Sequence, residues 1–143
     1  MRFWDSSAVV PLIVEEERSR SCRSLLREDP ALAVWAFTRT EVASALHRLR
    51  REEHLDPPGL TRAARRLELL TRQWTEVEAF GAVRERAERL LGAHPLGSAG
   101  ALQLGAALVL VQERPRGRGF VTADARLASA AEGEGFRVYL PSD

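Results

Sequence analysis

Three carboxylates in this chain stand where an acid can do chemistry: Asp5, Glu41 and Asp124. Asp5 ends the apolar run Phe3-Trp4, and Asp124 ends the run Phe120-Val121-Thr122-Ala123. Glu41 follows a third apolar run, Ala31 to Trp35, and falls in the first turn of the helix predicted after it. In open α/β sheets, ligands bind outside the carboxyl ends of the strands. Oxygen donors gathered there suit Mg²⁺ or Mn²⁺, which take hard ligands and keep several waters. An ion so held activates water against a phosphodiester and stabilises charge on the departing oxygen. Each acid also has a plainer role. Asp5 and Asp124 are good helix N-caps, and Glu41 suits the positive end of a helix dipole.

The elements that must position these acids alternate along the chain. Phe3-Trp4 reads as a short buried strand, followed by a helix that Ser6 or Ser7 can cap. Helical spacing continues to about Glu28, with Pro11 either dividing the stretch or lying in a first turn. After the strand Ala31 to Trp35, Thr38 or Thr40 can cap a helix to about Glu53, with Val42, Ala45, Leu46 and Leu49 inward. Asp56-Pro57 reads as N-cap and N1 of a helix to about Trp74. Trp74 to Val77 is a candidate short strand, Ala79 to Leu91 a helix, and Ala99 to about Gln112 an almost uncharged, buried helix opened by Ser98. Phe120 to Asp124 repeats the opening design. Ala125 to Glu132 is a helix ended by Gly133 and Gly135, and Phe136 to Leu140 is a last strand. Strands alternating with helices call for a parallel sheet covered on both faces, in one domain spanning residues 1–143.

Composition excludes more than it selects. The 143 residues are 45% hydrophobic, enough for one substantial core and too many for a disordered chain. Net charge is +1, so overall charge names no partner; all 21 basic residues are Arg. The single Cys22 excludes an intramolecular disulfide and a cysteine zinc site. No leader pattern opens the chain, and its longest apolar stretch, Ala106 to Val111, is too short for a bilayer, which gives a cytoplasmic expectation with no membrane partner. His47 and His94 have no second His at ligand spacing, and Gly97 and Gly100 form no P-loop because no Lys accompanies them.

Four stretches carry a family resemblance. Phe3-Trp4-Asp5-Ser6-Ser7-Ala8 is similar to the first acidic motif of PIN-domain proteins of the VapC toxin type. Thr40-Glu41-Val42-Ala43-Ser44-Ala45-Leu46 resembles the second, Ala101-Leu102-Gln103-Leu104-Gly105-Ala106-Ala107 the helix after the third acid, and Val121-Thr122-Ala123-Asp124-Ala125-Arg126-Leu127 the fourth. Four such stretches in order are specific where one alone is not. The resemblance implies a three-layer α/β/α domain with four to five parallel strands. It also implies a Mg²⁺-dependent endoribonuclease, restrained by a cognate antitoxin and commonly dimeric. Carried over by residue, it makes Asp5 the central metal ligand, with Glu41 and Asp124 completing the ring or positioning the water. Thr122 would orient Asp124 or that water.

The chain departs from the pattern at Gly100, where the family likeness calls for an aspartate; no Asp or Glu occurs between Glu88 and Glu113. One or two carboxylates still suffice for Mg²⁺, so two readings follow: a working but weakened nuclease, or a degenerate copy that binds RNA or an antitoxin-like partner and cuts poorly. A small phosphatase-like hydrolase is a weaker third, disfavoured by the lack of an Asp-x-Asp pair. For RNA contact the candidates are Arg48, Arg51, Arg62 and Arg66, flanking the Pro57-Pro58 turn, and Arg116 and Arg118 in a Gly-containing turn. The alternative for the first group is a solvated helix face paired with Glu52, Glu53 and Glu68.

Overall fold

A computed structural model describes all residues, 1–143. Its chain order is β1 (Arg2–Trp4), α1 (Ser6–Ile13), α2 (Ser19–Glu28), β2 (Leu32–Trp35), α3 (Thr38–Arg51) and α4 (Pro57–Thr71). There follow β3 (Thr75–Val77), α5 (Phe80–Ala93), α6 (Ser98–Leu110), β4 (Gly119–Val121), α7 (Ala125–Glu134) and β5 (Arg137–Tyr139). The five strands form one parallel sheet in the order β3-β2-β1-β4-β5. The chain winds outward from β1 in one direction and then, from β4, in the other. The switch point therefore lies between β1 and β4.

Side-chain alternation builds the two faces. Phe3, Ala33, Trp35 and Phe120 face a core shared with α5, α6 and α7. Trp4, Leu32, Val34 and Val121 face a second core with α1, α2, α3 and α4. Phe3 stacks on Phe120 with centroids 5.4 Å apart. The expected three-layer α/β/α domain with a parallel sheet is therefore the observed one. No single helix is long and apolar enough to cross a membrane.

Local chemistry corrects several expected boundaries. Neither Ser6 nor Ser7 caps α1; Asp5 holds the N-cap position without a side-chain cap bond. Phe37, not Thr38 or Thr40, precedes α3, and Thr38 is turned inward. The stretch to Glu28 is two helices, as one of the two readings of Pro11 has it, but the break follows Ile13 and Pro11 lies inside α1. Asp56 caps α4 as read, accepting from Gly59 N at 2.7 Å. Gly133 lies within α7, and only Gly135, at φ 109°, ends it.

Candidate metal centre

Register brings the site together. Trp4 pairs with Val121, and Asp5 N then donates to Val121 O at 3.0 Å, so Asp5 leaves the sheet beside Thr122. Thr122 Oγ1 donates to Asp5 Oδ2 at 2.8 Å, and Ser7 Oγ donates to the same oxygen. Each hydroxyl is itself placed by a backbone amide: Asp124 N donates to Thr122 Oγ1 at 3.0 Å, and Ala123 N to Ser7 Oγ at 2.9 Å. Asp5 is buried, whereas its second oxygen, Oδ1, meets only Ser6 Oγ at 3.3 Å. Burial pushes the Asp5 carboxyl above the ordinary carboxylate range against the pull of Ser7 and Thr122, and the charge of Asp124 adds to the rise.

Glu41 reaches the same place from α3. Ser6 Oγ stands between Asp5 Oδ1 and Glu41 Oε2, 3.3 Å and 3.5 Å away. From the other side, Gln103 Nε2 on α6 donates to Glu41 Oε1 at 2.7 Å and to Thr38 Oγ1 at 3.0 Å. Gln103 is 1% exposed on a helix otherwise lined with apolar residues, so its amide is committed to these two partners. Burial pushes the Glu41 carboxyl up, and the charge of Asp5 adds to the rise. Asp124 is exposed and divides its work. Its Oδ1 caps α7, accepting from Arg126 N at 2.9 Å and Leu127 N at 3.1 Å.

A cavity of ≈740 Å³ opens over this cluster, walled by Ser6, Ser7, Glu41 and Asp124 among others. Asp5 lies beneath Ser6 and Ser7 rather than in the wall. The expected ring of three carboxylates is not closed. No three His, Cys, Asp or Glu side chains stand close enough to share one ion, because Glu41 is tied toward Gln103 and Asp124 toward its own helix. Mg²⁺ needs only one or two protein carboxylates and takes the rest of its shell from water and phosphate. The donor set, hard oxygens with no protein cation paired to them, fits such an ion through Asp5 and Glu41.

The family profile of the PIN domain matches residues 2–133. This chain belongs to the PIN domain family. PIN domains are in general metal-dependent nucleases. Comparison with curated proteins gives no significant match.

Within this PIN domain the structure sorts the remaining candidates. Gly100 sits in the first turn of α6, beside a second cavity of ≈730 Å³ that Asp124 also lines. A Cβ there would meet only Leu127 and Leu96, at 3.8 Å, so packing does not demand glycine. Of the six arginines, Arg48 alone lines the acid cavity. Arg66 donates to Ile13 O at 3.3 Å, and Arg51 and Arg62 lie exposed on α3 and α4. Their expected pairing with Glu52, Glu53 and Glu68 does not occur: Glu52 contacts His54, and Glu68 pairs with Arg72. Arg116 and Arg118 precede β4, at the amino edge of a parallel sheet whose acids lie at the carboxyl edge, so they take no part in this site. In the sequence Ser6, Ser7 and Thr38 are legible only as helix caps, and Arg18 carries no signal of its place at this cavity. Gln103 does carry one, as a lone amide in an apolar helix.

Proposed function

We propose that this PIN domain is an endoribonuclease of the VapC toxin type, hydrolysing RNA phosphodiester bonds with Mg²⁺ or Mn²⁺. One observation carries the metal part. Asp5 and Glu41 share a serine and are both pushed up by burial, yet no arginine, histidine or amino terminus pairs with either. A buried and a half-buried carboxylate without a compensating charge call for a cation. The toxin-type assignment and the RNA substrate rest on the likeness of Phe3–Ala8, Thr40–Leu46, Ala101–Ala107 and Val121–Leu127 to that group's motifs.

The ion would supply a Lewis acid and an activated water. The chain's own residues do the positioning. Ser7 and Thr122 occupy Asp5 Oδ2 and leave Oδ1 for the ion. Gln103 occupies Glu41 Oε1 and leaves Oε2, beside Ser6. Asp124 keeps Oδ2 free of protein donors, toward the cavity where a water or a phosphate oxygen would sit. The same reading makes residues 1–143 a single cytoplasmic domain that forms a homodimer and meets a cognate antitoxin. A monomer mass by light scattering would remove the dimer.

A second reading has its own observation: α6 brings Gly100, not an acid, to the cavity beside Asp124. In it the chain binds RNA or a partner and cuts poorly. Mn²⁺ binding and RNA cleavage separate the two, measured for the chain as it stands, for Asp5→Asn and for Gly100→Asp. A working nuclease cuts, and Asp5→Asn lowers cleavage by at least ~100-fold. Cleavage that appears only in Gly100→Asp selects the second reading, and absence of Mn²⁺ binding in every variant rejects metal-dependent cutting altogether.

A further inference from the structure

The wall of the acid cavity carries two arginines, Arg18 and Arg48, that the metal site does not use. On α3 the lining residues Glu41, Ser44, Ala45 and Arg48 follow one helix face, so Arg48 lies about 10 Å along the axis from Glu41. Arg48 makes no ion pair and no hydrogen bond through its side chain. Arg18 comes from the turn between α1 and α2. That turn is fixed by buried Ser19, whose Oγ accepts from Glu16 N and donates to Val14 O, both at 2.9 Å. Arg18 Nε is itself buried without a hydrogen bond. Its one acidic contact is the exposed Asp143 carboxylate, 3.3 Å away and not aligned as an acceptor. Glu16 shares this rim; burial pushes its carboxyl up while Arg18 draws it down.

The Arg18 side chain is 42% exposed, so its remaining N–H groups face the cavity with only the exposed Asp143 carboxylate nearby, and phosphate is the acceptor whose geometry matches the guanidinium fork. A nucleic acid strand carries one phosphate per nucleotide, so a strand with one phosphate over the acids presents the next to this wall. We infer that Arg18 and Arg48 form a phosphate clamp facing the acids, which grips the backbone of a single strand beside the bond to be cut. The clamp rests on the nuclease reading but acts in binding, without the ion. Asp143 is the carboxylate that the incoming phosphate displaces from Arg18.

Anisotropy of labelled single-stranded RNA and DNA oligomers in EDTA, over a salt series, tests this. Arg18→Gln and Arg48→Gln should each weaken binding by ~5–30-fold and flatten the salt dependence by about one charge. Arg89→Gln, exposed on α5, should change neither. Asp143→Ser should tighten binding by ~2–5-fold, an arm that survives if Arg18→Gln misfolds. A preference for RNA or DNA identifies whose backbone the clamp takes. Wild-type slope and affinity in both arginine variants overturn the clamp while leaving the nuclease reading intact. A wild-type chain that binds neither oligomer overturns the clamp, and Mn²⁺ binding then decides the nuclease reading separately.

Discussion

Asp5 and Glu41 are each held closely at one carboxylate oxygen and meet only Ser6 Oγ, at 3.3 Å and 3.5 Å, at the other, and the close holder is a different residue type in each case. Hydroxyls hold Asp5, and an amide from another layer holds Glu41. Replacing Gln103 with Leu should lower Mn²⁺ affinity by ~10–100-fold, the usual cost of removing a partner that orients a ligand; titration calorimetry showing unchanged affinity would refute the tether. Both carboxyls are raised by burial, which fixes the sign of their pH effects. An acid raised in the folded chain holds its proton there more firmly than in the unfolded chain. Stability of the metal-free protein should therefore fall as pH rises from the ordinary carboxylate range, about 4, through the raised values. Ion binding needs both groups ionised and has the opposite dependence. Melting curves with and without Mn²⁺ should separate progressively as pH increases from about 4 to about 8. A Mn²⁺ shift independent of pH would show that these two acids do not bind it.

Helix α6 shows how an element imposes its own constraints on the site it serves. It packs against α5 so closely that a Cβ on Gly105 would lie 3.1 Å from Val83 O and 3.2 Å from Ala87 N. Both are backbone atoms and cannot rotate away. Gly105→Ala should cost about 1–3 kcal/mol by overpacking. Gly100, five residues earlier, has only ordinary contacts, and Gly100→Ala should be neutral or stabilise by up to ~1 kcal/mol. Urea titration distinguishes the two, and equal effects would mean that the close approach is not the constraint. The glycine at 105 is therefore explained by packing, and the one at 100 is not. Since α6 also carries Gln103, a shift of this helix away from α5 would move the donor that holds Glu41.

Across the whole molecule, a second polar cluster closes the face opposite α1 and α3. Arg86 on α5 reaches Glu113 after α6, at 2.9 Å, and Glu134 on α7, at 3.0 Å; His94 Nε2 donates to Glu134 at 2.7 Å. Burial pushes the Glu134 carboxyl up, but His94 and Arg86 outweigh it and the net displacement is downward. Glu134→Gln should cost about 1–3 kcal/mol near neutral pH. Because the native carboxyl titrates lower than the unfolded one, the difference from wild type should vanish only as pH falls below the ordinary glutamate value. Urea melts at several pH values check it; a pH-independent difference would show that charge is not involved. The α/β class, the parallel sheet and the positions of Asp5, Glu41 and Asp124 were all legible in the residues. Alternation of apolar runs with helical periods, and acids at strand ends, are local patterns. What only the tertiary structure decided is which groups those acids meet. Gln103 lies 62 residues from Glu41, and Thr122 lies 117 from Asp5. Arg116 and Arg118, plausible by charge, fall at the wrong edge once strand direction is fixed. Periodicity along a chain specifies which face a residue takes, whereas hydrogen bonds between distant elements depend on sheet order and register, which no local pattern encodes.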